Sequence, residues 1–169
     1  MRAMVSQLKV KIVRNAHVSM YPFTDHFKGF EKVAAVRQLF GEKTEEVLRN
    51  LKVEFNNGRG YMGVSGEDGH LRVSANYLNN GDVIDLYLDV IHELVHVKQF
   101  MEGKELRDRN FGYVDRPTEI EAFLHAVNEG KRLGMSHNQI LEYLQTERMN
   151  DEELNRLVKA LKLEGEKDS

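Results

Sequence analysis

The chain has 169 residues, 41% of them apolar and 30% charged, with a formal net charge of −3 and no cysteine. That suits one packed domain, with or without a small helical appendage. It offers no electrostatic footing for nucleic acid or an anionic membrane as partner, and it excludes a disulfide framework and a thiolate metal site. Charges interrupt every apolar run of the first eleven residues, so no secretory leader is expected. No stretch approaches the roughly 18 apolar residues of a membrane span. A soluble, cytoplasmic protein is the expectation.

Leu8, Val10 and Ile12 alternate with Lys9, Lys11 and Val13, the pattern of a half-buried strand. Residues 15 to 29 read as irregular, with Pro22 and Gly29 as breakers. Glu31 to Phe40 carries apolar residues at helical spacing and stops at Gly41; Thr44 opens a second short helix to about Asn50. The period then becomes two. Leu51, Val53 and Phe55 alternate up to Asn57-Gly58, a hairpin signal, and Tyr61 to Ser65 forms the returning strand. Glu67-Asp68-Gly69 turns the chain again into Leu71, Val73 and Ala75. A small antiparallel sheet is therefore expected ahead of a long helix.

That helix runs from about Val83 to Met101, with Asp82 as N-cap and Gly103 as its stop. Wound at about 100° per residue, it is apolar nearly all round, as a helix buried in a core must be. The main interruption is one narrow stripe with Asp85, Asp89, His92, Glu93, His96 and Gln99. His92 and His96 are one turn apart on that stripe, so their imidazoles can meet on one metal ion, with Glu93 beside it to handle a proton. A buried helix gains nothing by holding such groups unless they are compensated, and a metal compensates them.

After a charged loop to Arg116-Pro117, a helix spans about Thr118 to Leu133 and stops at Gly134. Glu119 and Glu121 are about 200° apart on it, so only one faces inward. Glu119 falls on the face with Ile120, Ala122, Phe123, Ala126 and Val127; Glu121 falls opposite, with His125, Asn128 and Arg132. Glu119 is thus the preferred third ligand of a catalytic metal, which takes three protein ligands and leaves one position open; Glu121 is the alternative. Ser136 with Gln139 and Asn150 with Glu153 form capping boxes for helices over residues 137 to 146 and 151 to 163, and the last six residues are polar. The expected architecture is α+β, with residues 1–134 as the site-bearing domain and 135–169 as a helical segment packed on it.

His-Glu-x-x-His on one helix, followed by Glu119-Ile120-Glu121-Ala122 at the start of another, resembles the gluzincins, thermolysin-like zincin metallopeptidases, and most of all the minimal members called minigluzincins. The resemblance covers about residues 51 to 133. It implies a zincin-like fold, Zn²⁺ on His92, His96 and Glu119, a metal-activated water, Glu93 as general base, and a peptide or protein as substrate. It also implies an oxyanion donor, for which Tyr113 is the candidate, and an edge strand that pairs with extended substrate, for which Leu71 to Ala75 is the candidate. One departure stands out. Many gluzincins have Asp four residues after the glutamate ligand, and here that position is Phe123; Asp89, one turn before His92, is the candidate replacement. His17, His26, His70, His125 and His137 read as solvated rather than as ligands. The alternative to a peptidase is a zinc-binding regulatory or latent module on the same scaffold.

Overall fold

The computed structural model describes residues 2–145 and 149–165, with the backbone alone for residues 2 and 3. The elements in chain order are α1 (Arg2–Gln7), β1 (Lys11–Ile12), β2 (Ser19–Pro22), α2 (Phe23–His26), β3 (Phe27–Lys28), α3 (Ala34–Phe40), α4 (Thr44–Asn50), β4 (Lys52–Asn56), β5 (Met62–Val64), β6 (Leu71–Ser74), α5 (Ala75–Asn80), α6 (Val83–Met101), α7 (Pro117–Arg132), α8 (His137–Leu144) and α9 (Asp151–Ala160). The class is α+β. No helix of the described residues is long and apolar enough to cross a membrane.

The sheet differs from the expectation in type and order. It is mixed, with order β2-β4-β6-β5: β2 pairs antiparallel with β4, β4 parallel with β6, and β5 antiparallel with β6. Asn57-Gly58 is not the turn of a β4–β5 hairpin. The Asn56 side chain accepts the Gly58 N–H at 2.8 Å, a local turn that takes the chain out of the sheet and past the place of β6. The hairpin at Glu67-Asp68-Gly69 is present, and Gly69 adopts φ +79° with the Phe100 ring packed where a Cβ would sit. Two further expectations fail for the same reason, that strand pairing is decided at long range. Residues 15 to 29 are not irregular but supply β2, α2 and β3. The strand read over Leu8 to Val13 shrinks to β1, which pairs only with β3.

β6 ends one residue early because Ser74 caps a helix, its side chain accepting the Tyr77 N–H, so Ala75 opens α5 instead of continuing the strand. Asp82 caps α6 by accepting from the N–H groups of Ile84 and Asp85. α6 then runs through the core: Leu88, Ile91, Leu94 and Val95 are fully buried. Each such burial contributes about 2 kcal/mol, which offsets the cost of keeping a polar stripe inside. α7 packs along α6 on small residues. Ala122 and Ala126 have no exposure, and at Gly130 a Cβ would stand 2.8 Å from Met135 Sδ and 3.5 Å from Leu88.

Both expected capping boxes are formed, Ser136 with Gln139 and Asn150 with Glu153. α8 ends at Leu144 and α9 at Ala160; residue 146, the expected end of the first of these helices, and residues 166–169 of the polar tail lie outside the described residues. Ile140, Leu144, Leu157, Leu161 and Leu163 pack with Val114, Phe123 and Val127 into a second apolar cluster behind α7.

Candidate metal centre

Among the described residues, one group of His, Cys, Asp or Glu side chains is placed to share a metal ion: His92, His96 and Glu119, all buried. α6 delivers the histidines from its polar stripe and the first turn of α7 delivers the glutamate. Glu119 Oε2 lies 3.1 Å from His92 Nε2 and 3.2 Å from His96 Nε2, and the two Nε2 atoms are 3.2 Å apart. A tetrahedral zinc ion with donors at about 2.0–2.1 Å sets neighbouring donors about 3.3 Å apart. The triangle therefore has the dimensions of one face of such a coordination shell. Three inward-facing lone-pair atoms cannot all satisfy one another by hydrogen bonding, whereas a cation satisfies them together.

The tautomer of His96 is fixed from behind. Gln99 Nε2 donates to the Thr118 carbonyl at 3.0 Å and to Glu121 Oε1 at 3.1 Å, which turns Gln99 Oε1 toward His96 Nδ1, 2.7 Å away. His96 Nδ1 must then carry the proton, and Nε2 presents its lone pair to the centre. Glu121 thus serves one step behind the site rather than in it. Sequence reasoning placed Gln99 on the polar stripe without giving it this part; its position three residues after His96 on the same helix face was the available signal.

His92 is held differently. The ring of Phe123 meets it edge-on, with centroids 4.5 Å apart, and His92 Nδ1 has no hydrogen-bond partner among the described residues. Asp89 does not bond to His92. Its carboxylate accepts the Tyr77 hydroxyl at 2.5 Å and the Tyr143 hydroxyl at 2.8 Å, and so ties α5 and α8 to α6. The expected carboxylate support of the first histidine is replaced by an aromatic wall.

Burial opposes ionisation of Glu119, but the bonds from His92 and His96 and their charge outweigh it and hold its carboxyl well below the usual carboxylate range. Burial likewise disfavours a charged His96. Its bond to Glu119 and the carboxylates of Glu93 and Glu119 nevertheless push its pKa up to about 9. Glu93 is 6% exposed, burial raises its pKa with the two histidines opposing, and its Oε2 has no hydrogen-bond partner among the described residues.

A cleft passes through the centre. One lobe, about 210 Å³, and another, about 150 Å³, share Met62, His92, Glu93 and Tyr113 as lining. Tyr113 is thus a cleft residue, carried by a short turn over Tyr113–Asp115 with its ring against Phe123. The strand at the cleft is β5, not Leu71 to Ala75. β6 is interior, between β4 and β5, and has no free edge to offer. Of the remaining histidines, His17 is exposed, His26 packs against Tyr21 and Phe55, and His70 sits between Asp68 and Glu54; His26, His70, His125 and His137 are half-buried rather than solvated groups. No protein-family model matches the chain, and no curated protein or solved structure shows significant similarity to it.

Proposed function

We propose that the chain is a zinc-dependent peptidase of the zincin type, with His92, His96 and Glu119 as ligands. The observation that carries this reading is Glu93: a buried carboxylate with an unpartnered oxygen, one residue from a ligand, lining both lobes of the cleft. A binding site that served only to hold metal would have no use for it. Zinc bound at this centre supplies Lewis acidity to a carbonyl oxygen and to a water. Glu93 takes the proton of the attacking water and returns it to the leaving amine, and burial raises its proton affinity toward that task. Gln99 keeps His96 in the ligating tautomer. Tyr113, which lines the cleft, is the donor to the oxyanion in this reading. The open edge of β5 gives an extended substrate a strand to pair with.

The test is Glu93→Gln. The variant should keep its metal content and melting temperature and lose peptide hydrolysis by at least about 100-fold, since the change removes the base and leaves the ligands. A variant that cleaves like the wild type rejects Glu93 as base. A zinc-loaded wild type that cleaves nothing in a broad peptide library rejects the peptidase reading in favour of a silent or latent metal-binding module.

A further inference from the structure

Away from the centre, the outer walls of the two lobes carry opposite charge. The larger is walled by Asp85 and Glu142, beside the paired rings of Tyr61 and Tyr77, whose centroids are 4.7 Å apart. The smaller is walled by Arg107 and Arg116, and the Asp108 carbonyl orients Arg116 by accepting from its Nε at 3.2 Å. Glu93, buried and with its Oε2 lacking a hydrogen-bond partner among the described residues, lies between the lobes and lines both.

β5 gives this polarity a direction. The Tyr61 carbonyl accepts from the Ser74 N–H and the Ser65 N–H donates to the His70 carbonyl, each at 2.9 Å. Odd-numbered residues of the strand therefore bond to β6, and Met62 and Val64 turn their N–H and C=O groups to the open edge. The strand runs from the acidic lobe, which Tyr61 and Met62 line, to the basic lobe, which Met62, Gly63 and Val64 line.

Resting on the peptidase reading, we propose that the cleft takes charge-polarised peptide segments, with acidic side chains N-terminal and basic side chains C-terminal to the scissile bond. A segment added antiparallel to β5 makes the straighter, better-aligned ladder. Its N-terminal half then lies along Arg107 and Arg116, whose forked donors match carboxylates. Its C-terminal half lies along Asp85 and Glu142, where an ammonium or guanidinium group also meets the faces of Tyr61 and Tyr77.

Two end-blocked, fluorophore-labelled decapeptides of equal composition test this. One has two Glu before a central apolar pair and two Lys after it; the other reverses the charges. Binding is read by anisotropy on zinc-loaded Glu93→Gln protein and cleavage on the wild type. The Glu-first peptide should bind at least about tenfold tighter and be cleaved faster, with the gap closing at about 1 M salt. The double change Arg107→Glu, Glu142→Lys, at two exposed positions, should erase or invert the preference with the melting temperature kept. Equal binding, or preference for the Lys-first peptide, overturns the proposal. So does cleavage of other library peptides with neither of these two accepted, and in all three cases the peptidase reading survives. Metal-loaded protein that neither binds nor cleaves any peptide removes that reading and the proposal together.

Discussion

At the scale of single residues, the centre depends on which atoms face it and what holds them there. Glu119 contributes the one formal negative charge among the three ligands. Glu119→Gln should weaken zinc binding by about 100-fold or more, whereas Glu121→Gln, at a carboxylate that accepts from Gln99 one step behind the centre, should cost less than about tenfold. Gln99→Leu should fall between, at about 10- to 100-fold, because His96 loses the acceptor that fixes its tautomer. Isothermal titration of zinc into the three variants checks the order. The convergence of the three side chains was legible in the sequence because a helix converts spacing into direction: the shared face of His92 and His96 and the inward face of Glu119 follow from the 3.6-residue period. Phe123 and Asp89 were not. Spacing told where they stand along a helix, but which neighbour each side chain meets depends on elements far away in sequence, Tyr143 among them.

At the scale of elements, the helices with strong local signals, the places of β4, β5 and β6 and the β5–β6 hairpin were readable, and the order of the sheet was not. α6 and α7 announce themselves by period, α8 and α9 by capping boxes that satisfy their own first N–H groups. Strand order has no such local signal. β6 lies between β4 and β5, paired through its backbone on both sides, with Leu71 and Val73 at most 1% exposed. α9 shows what an appended helix does here. Leu157, Leu161 and Leu163 pack against Val114, and Arg156 pairs with Asp115 at 3.2 Å, both residues of the turn that carries Tyr113. Removing residues 148–169 should therefore lower the melting temperature and solubility and leave the chain less active, not more. Thermal denaturation and a cleavage assay of the truncated chain decide it; a soluble truncation with unchanged melting and faster turnover would instead mark this segment as an inhibitor.

At the scale of the whole molecule, the acidic lobe carries a cost in stability. Burial first, and then the charges of Asp82, Asp89 and Glu142, push the pKa of half-buried Asp85 up to about 6. The folded state thus binds a proton that the unfolded chain has already lost, so stability falls as pH rises from about 4 through about 6. Solvent screening reduces the penalty to about 1 kcal/mol. Asp85→Asn should accordingly raise unfolding stability by about that amount at pH 7.5 and by little at pH 4, as read by urea denaturation at the two values. Asp85 stands in the first turn of α6, where the helix dipole favours a negative charge; burial first, and then three neighbouring carboxylates, one of them from α8, reverse that sign in the fold.

The division of the apolar interior into a large cluster around α6 and a small one behind α7 has a consequence for time as well as for shape. A small cluster opens at lower free energy than a large one, so α8 and α9 should unfold locally before the rest of the chain. Amide hydrogen exchange should be slowest in α6, at the limit set by global unfolding, and faster in α8 and α9. Glu142 and Tyr143 belong to α8 and line the cleft. Each such opening should therefore also open the cleft, so that the width of its acidic end follows hydrophobic packing that reaches from Val114 to Leu163.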